Sequence, residues 1–303
     1  MKKTKKILIT GSNGLLGQKI VYNLKQRKDV DLYATSIGEN RLLDKLGYTY
    51  RSLDITDQNK VSHILSEINP DVIINTAAMT NVDACEHNKE KCWKINVDAV
   101  KYLVEASSKY NTHFIHLSTD FVFDGKAGPY SETDEPNPLH YYAESKLASE
   151  KIVSENSSNW AIIRTIIIYG ITDNMSRSNL VLWSKGEIEK GNTIKVVNDQ
   201  FRSPTLAEDL AEGCISVADN SAQGIYHLSG PEINSILELI YKVADFYALD
   251  KSKIIPVTSA SLNQPAKRPL RTGFVIDKAK KELGFKPRSF DEGIKFLDKQ
   301  MNN

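Results

Sequence analysis

The chain has 303 residues, 41% hydrophobic and 25% charged, and its 39 Lys and Arg nearly balance its 38 Asp and Glu. That balance excludes a general attraction to nucleic acid or anionic membrane, so any polyanion site must be local. No segment is biased enough to be fibrous or disordered, and no apolar run approaches a membrane span. The basic residues 1–6 lead into an apolar run of only three residues, too short for a signal-peptide core. Cys85, Cys92 and Cys214 form no CxxC pair and cannot all be matched in disulfides, which fits a reducing, cytoplasmic setting.

In chain order, β-branched runs predict strands over 6–10, 31–35, 49–53, 71–75, 114–118 and 161–165. Helical periodicity lies between them over 18–26, 58–68, 92–108 and 141–155. Strands alternating with helices predict an α/β fold, a doubly wound parallel sheet of the Rossmann kind. After Gly170 the elements shorten: helices over 179–190 and 207–218, strands over 193–197 and 224–228, and helices over 235–248 and 290–300. The expected organisation is a dinucleotide-binding domain over 1–170 and a smaller C-terminal substrate lobe over 171–303, with 207–228 returning to the first domain.

Residues 11–17 read GSNGLLG, directly between the first strand and the first helix. Gly11 permits a tight turn, Gly14 lets backbone approach a diphosphate, and Gly17 lets helix pack on strand. With Ser12, Asn13 and Leu15, these residues form the candidate phosphate cradle at a helix N-terminus. The second strand ends in Thr35 and Ser36, where an acidic residue would grip the ribose of NAD. Ser36 and Arg41 could instead hold a 2′-phosphate, so NADP is favoured and NAD remains possible; Arg41 as a solvated charge is the alternative. Asp54 and Ile55 follow the third strand as candidate adenine contacts, with Asp54 otherwise a turn residue.

Tyr142 and Lys146 in YYAESKLASE are four apart, hence on one helix face. A nearby ammonium group favours the phenolate of a tyrosine, which makes the pair usable for proton transfer. Upstream, FIHLSTD at 114–120 is an apolar strand ending in hydroxyl residues, and Thr119 completes a Thr, Tyr and Lys set.

These motifs, with NTAAMTNVDACE at 75, INVDAV at 95, STDFVFDG at 118, RTIIIYG at 164, VVNDQFRSPTLAEDLA at 196 and GIYHLSG at 224, resemble the extended short-chain dehydrogenases. Within that group they resemble the dTDP-4-dehydrorhamnose reductases over nearly the whole chain. The resemblance implies a catalytic triad of Thr119, Tyr142 and Lys146, a cofactor cleft lined by Thr76, Ala77 and Ala78, and support from Asn96. It also implies that residues 200–204 face the substrate, a nucleotide-linked 4-keto-6-deoxy sugar, in a monomer or homodimer. Three departures stand out. Phe121 occupies a tyrosine position, Ile167 a tryptophan position, and Lys19 the position of a glutamate that helps bridge a metal-linked dimer, so no metal is expected.

Asp120 and Phe121 are candidate substrate contacts. The absence of a glutamate at Phe121 separates this chain from sugar dehydratases, leaving ketone reduction, 4-epimerisation, or a regulatory role like that of the methionine adenosyltransferase β subunit. Arg202 stands where the resembling family has glycine. It is the candidate cation for the sugar diphosphate, or else the partner of a carboxylate such as Asp199 or Glu208.

Overall fold

Short apolar strands buried on both faces dictate the architecture. The computed structural model describes residues 4–302. Its first strands are β1 (Lys5–Thr10), β2 (Val30–Ser36), β3 (Thr49–Ser52), β4 (Val72–Asn75), β5 (His113–Thr119) and β6 (Trp160–Thr165), followed by β7 (Ile194–Val197), β8 (Gly224–His227) and β9 (Ile254–Val257). One seven-stranded sheet has the order β8-β6-β5-β4-β1-β2-β3 with every neighbouring pair parallel, while β7 and β9 pair separately. The switch point lies beside β1, the usual position for a ligand crevice in such sheets.

The helices are α1 (Leu15–Leu24), α2 (Gln58–Ile68), α3 (Val82–His87), α4 (Lys89–Trp93), α5 (Ala99–Ser107), α6 (Tyr141–Asn156), α7 (Leu180–Glu189), α8 (Ala207–Asp219), α9 (Ile236–Phe246), α10 (Asp277–Leu283) and α11 (Phe290–Met301). Alternation along β1 sends Ile7 and Ile9 into a core shared with α1, α8 and α10, and Leu8 into a core with α2, α5 and α6. A smaller apolar unit joins α7, α9 and α11, and α9 also packs over β7 and β9. Thus α8, β8 and α10 belong to the layers around the main sheet although they follow elements of the smaller unit. Local chemistry marks several helix starts: Asp57 caps α2 by accepting from Lys60 N at 3.1 Å, and Ser235 and Ser289 close capping boxes with Glu238 and Glu292.

The single helix expected over 92–108 is instead α4, a π turn over Lys94–Asp98, and α5. The extra residue in the π turn is stabilised by the Asn96 side chain, which donates to Met79 O at 3.1 Å and accepts from Met79 N at 2.8 Å. Periodicity alone carries no sign of such a turn. Strand β9 and helices α3 and α10 also escape the pattern, being four to seven residues long. Among the described residues no helix is long and apolar enough to cross a membrane.

Four of the six histidines, His113, His116, His140 and His227, are buried. Burial disfavours imidazolium and holds each below its ordinary range, His140 at about 4 and His227 at about 3. The unfolded chain therefore binds more protons than the folded one below about pH 6.5, and stability falls as pH drops through that window. Tm should decline by several degrees between about pH 7 and about pH 5, since each such histidine contributes about 1.4 kcal/mol per pH unit well below the unfolded pKa. A flat or rising Tm over this interval contradicts the sign.

Candidate active site

The glycine turn closes as its spacing requires. Gly11 has φ +71, and a Cβ there would come within 2.8 Å of the Ala77 backbone; at Gly17 a Cβ would lie 2.4 Å from Gly11 O. Gly14 begins α1 with no side-chain cap and no acidic residue in the first turn, so the amides of the helix start keep their positive end for a ligand. Ser12 Oγ and, at the end of β5, Ser118 Oγ are buried without a hydrogen-bond partner. An uncapped helix start, the orphaned Ser12 hydroxyl within the turn and glycines that admit no side chain fit a dinucleotide diphosphate.

Asn13 braces the loop after β2: its Nδ2 donates to Glu39 O at 2.8 Å and its Oδ1 accepts from Arg41 N at 2.9 Å. Thr35 turns inward, its hydroxyl donating to Ile9 O, which leaves the half-buried Ser36 and the exposed Arg41 at this corner. Asp54 Oδ1 accepts from the amide and hydroxyl of Thr56 at 2.9 and 2.8 Å, while Ile55 is buried in the core. The turn role is thus engaged at Asp54, and Ile55 has only its backbone to offer a ligand. Thr76 donates its hydroxyl to Thr10 O at 2.6 Å, fixing the start of the half-buried segment with Ala77 and Ala78. Leu15 opens α1 beside this turn.

A strap over 171–178 crosses the same corner. Asp173 accepts from Tyr22 Oη and from Leu43 N at 2.9 Å, Asn174 donates to Arg41 O at 2.8 Å, and Arg177 donates to Thr80 at 3.1 Å. No motif marked these residues.

Helix α6 presents Tyr142 and Lys146 from one face, both buried. His140 caps it, Nδ1 accepting from Ala143 N at 3.2 Å. The Tyr142 hydroxyl faces Thr119; burial pushes its pKa well up, and the hydrogen bond with Thr119 opposes this. Lys146 is brought down to about 8 by burial, opposed by Glu150. Glu150 is tied to Arg164 of β6 through bonds of 2.7 and 3.0 Å. Asn96 donates to Ser145 Oγ at 3.0 Å, so α6 is held from both sides. The strand-borne His116 contacts Lys146 Nζ at 3.1 Å. That contact was not read from the sequence, although a histidine inside an apolar strand is a visible signal.

Arg202 departs from expectation. It is only 1% exposed, and its guanidinium donates to Phe201 O at 2.7 Å, Leu270 O at 3.1 Å and Pro269 O at 2.6 Å. Its Nε lies 3.6 Å from Asp120 Oδ2. Neither Asp199 nor Glu208 is its partner: Asp199 accepts from Ser259, and Glu208 pairs with Lys19 at 2.7 Å. Arg202 is therefore a buried counter-ion to Asp120 that sews residues 269–270 to the site, and the diphosphate role is corrected. Asp120 also accepts from Thr272 and, at 3.2 Å, from Thr119. Phe121 lies under the Arg202 guanidinium at 5.5 Å and edge-on to Tyr142 at 6.4 Å.

The parallel sheet, phosphate turn and Tyr–Lys helix define a nicotinamide-dependent oxidoreductase of the extended short-chain dehydrogenase type. The chain belongs to the family described as RmlD substrate binding domain, whose model matches residues 5–302. It is 30% identical to the dTDP-4-dehydrorhamnose reductase of Aggregatibacter actinomycetemcomitans over 302 residues, covering 96% of this chain and 97% of that one. It is 31% identical to methionine adenosyltransferase 2 subunit beta of Bos taurus over 261 residues, covering 84% and 76% of the two chains. A crystal structure of dTDP-4-dehydrorhamnose reductase from Bacillus anthracis in complex with NADP matches with a TM-score of 0.86 at 28% identity, covering 98% of this chain and all of that one.

Breaking the buried pair should be costly. Arg202→Met strands the Asp120 charge and should lower stability by about 3–5 kcal/mol, and the double variant with Asp120→Asn should recover part of it. Thermal melts of wild type, Arg202→Met and the double variant check this; an unchanged melt for Arg202→Met with a raised sugar KM would restore the substrate role.

Proposed function

We propose that this protein reduces the 4-keto group of a nucleotide-linked 6-deoxy sugar, as a dTDP-4-dehydrorhamnose reductase does, with NADPH as the preferred donor and Thr119, Tyr142 and Lys146 as catalytic residues. The observation that carries the reading is the buried Tyr142 and Lys146 on one face of α6, with Thr119 opposite and the phosphate turn at the end of β1. Gly11 to Gly14 and the start of α1 would hold the diphosphate, and Ser36 and Arg41 the 2′-phosphate.

A nicotinamide supplies hydride to the carbonyl carbon when bound. The carbonyl oxygen then takes a proton, and the raised pKa of Tyr142 keeps that proton on its hydroxyl at neutral pH. Thr119 shares the hydrogen bond and fixes where the oxygen sits. Lys146, still mostly ammonium below its pKa of about 8, stabilises the phenolate that forms and orients the ribose. Asp120 is occupied by Arg202 and Thr272 and has no proton-transfer duty here. With Arg268 held by Asp83 at 2.8 and 3.1 Å, the exposed Arg271 is the remaining arginine of that loop for the sugar diphosphate. Phe121 in place of a carboxylate favours reduction over water elimination.

Tyr142→Phe should retain NADPH affinity and lose at least about 100-fold in kcat, measured by absorbance at 340 nm with a panel of nucleotide 4-ketosugars. Near-normal turnover sinks the acid assignment. No turnover by wild type with any sugar, beside capture of a partner enzyme, would favour a subunit role instead.

For the cofactor, kcat/KM should be higher with NADPH than with NADH, and Arg41→Ala should reduce that ratio by roughly 10-fold, the loss of one charged contact to phosphate. A ratio unmoved by the variant leaves Arg41 as a surface charge.

A further inference from the structure

Thr10, Asn75 and His116 are neighbours across three strands, because the register pairs Thr10 of β1 with Asn75 of β4 and Asn75 with His116 of β5. All three are buried. Thr10 Oγ1 bonds the Asn75 side-chain amide, whose other end lies 3.1 Å from His116 Nδ1. The second ring nitrogen, Nε2, is 3.1 Å from Lys146 Nζ and 2.9 Å from Ser149 Oγ. Ser149 in turn donates to the carbonyl of Lys146 at 2.7 Å. A continuous polar row thus runs from the residue before the phosphate turn to the lysine of α6.

We propose that His116 is a positioning residue for Lys146, a neutral imidazole that keeps the lysine nitrogen bonded in both of its charge states by changing tautomer. With an ammonium at Lys146, Nζ–H donates to bare Nε2, Nδ1–H donates to the Asn75 carbonyl oxygen, and the Asn75 NH2 group donates to Thr10 Oγ1. With an amine, Nε2–H faces Nζ and Ser149 Oγ, Nδ1 accepts from the Asn75 NH2 group, and the Thr10 hydroxyl donates to the Asn75 oxygen. With the ammonium, the Ser149 hydroxyl turns from the Lys146 carbonyl to donate to Nε2 as well; with the amine it turns back, and in both arrangements every member of the row keeps a partner. They differ by one turned amide, one turned hydroxyl, one moved imidazole proton, and one proton released to solvent from the ammonium.

The geometry separates His116 from an ordinary buried histidine. A structural imidazole needs only backbone partners, as His113 has in Ala222 O and His227 in Tyr130 O. His116 instead bonds three side chains, those of Asn75, Lys146 and Ser149, and no backbone group. The other titratable and charged groups around Lys146 are Tyr142 one turn back, Glu150 one turn on with its partner Arg164 of β6, and Cys92 of α4. Burial keeps His116 neutral well below its ordinary range, so it offers a lone pair to the ammonium rather than a second positive charge.

The inference rests on Lys146 belonging to the active site, and its first test needs no turnover. Two-bond 1H–15N spectra of the imidazoles, with the His116 signal assigned by His116→Gln, report protonation and tautomer directly. A neutral ring is expected from about pH 6 to about pH 9. Its proton should sit on Nδ1 at the acid end and pass to Nε2 as the pH crosses the Lys146 pKa of about 8. In Lys146→Met the ring should hold the Nε2–H form throughout, with Ser149 as acceptor. A ring that titrates near its ordinary pKa, or a tautomer indifferent to pH and to Lys146→Met, overturns the proposal.

Turnover supplies the second readout. His116→Leu removes the acceptor, so the ammonium is less favoured and the basic limb of the kcat profile should move about one pH unit to lower pH, a loss of about 5-fold at pH 8 that approaches about 10-fold on the more basic side. His116→Gln keeps an acceptor and should return the limb towards its wild-type position. A lowered Tm with an unmoved limb in His116→Leu makes the histidine merely structural. If wild type reduces no ketosugar, the functional reading fails, and the tautomer experiment still decides the role of His116.

Discussion

The buried polar face of α6 is the constraint on which the rest of the structure depends. Ser145, Lys146, Ser149 and Glu150 are all at or below 4% exposure, on a helix whose pattern gives no clear apolar stripe. Burying a charge without a partner costs several kcal/mol, so each of these groups must be met from outside the helix. Arg164 reaches Glu150 from β6, His116 reaches Lys146 and Ser149 from β5, and Asn96 reaches Ser145 from the π turn before α5. Three elements on different parts of the chain are thereby set at fixed distances from α6. Tyr142 takes its position from that arrangement together with its own packing against Phe121, Cys85 and Cys92.

A second set of partners does for the cofactor corner what these do for the helix. Asn13 and the strap residues Asp173, Asn174 and Arg177 bind the loop after β2 and the loop after β4 to the phosphate turn, largely by side chains on backbone groups. The loops have little core of their own; Leu43 and Leu46 are 73% and 79% exposed, and Leu42 alone of that run is fully buried. Their placement therefore depends on polar bonds to α1 and the strap. A surface held this way can open at smaller cost than one packed by apolar side chains, which suits a site where a dinucleotide must enter and leave.

Much of this was legible in the sequence, for physical reasons that differ by element. The six early strands and helix α2 follow from β-branched runs and 3.6-residue periodicity, signals that local sterics and burial write directly into composition. GSNGLLG was legible because only glycine fits at Gly11 and Gly17, and YYAESKLASE because the Tyr and Lys spacing equals one helical turn. The π turn was not legible: one extra residue leaves apolar spacing nearly unchanged and is specified by Asn96 bonding a distant backbone. Nor was the fate of Arg202, since a guanidinium in a loop is ordinarily solvated, and only the fold brings Asp120 and three carbonyls around it. His116 was visible as a polar residue in an apolar strand, yet its partners Asn75 and Lys146 lie 41 and 30 residues away along the chain.

The two buried charge pairs divide the site into a part that must be constant and a part that can vary. Arg164 and Glu150 hold α6, and on the function proposed above they thereby support the proton chemistry that any substrate of this reaction class would need. Arg202 and Asp120 hold the loop around 269–272 against Thr119 and Phe121, where the sugar would meet the protein. A glycine at 202 would supply neither the cation nor the three carbonyl bonds, and Asp120 would then face the cleft with an uncompensated charge. Arg202 is therefore coupled to the residues around it: the same side chain that neutralises Asp120 stacks over Phe121. Exchanging one member without the others would leave a buried charge or an unfilled gap, so specificity at this end of the site is expected to change by sets of residues rather than one at a time.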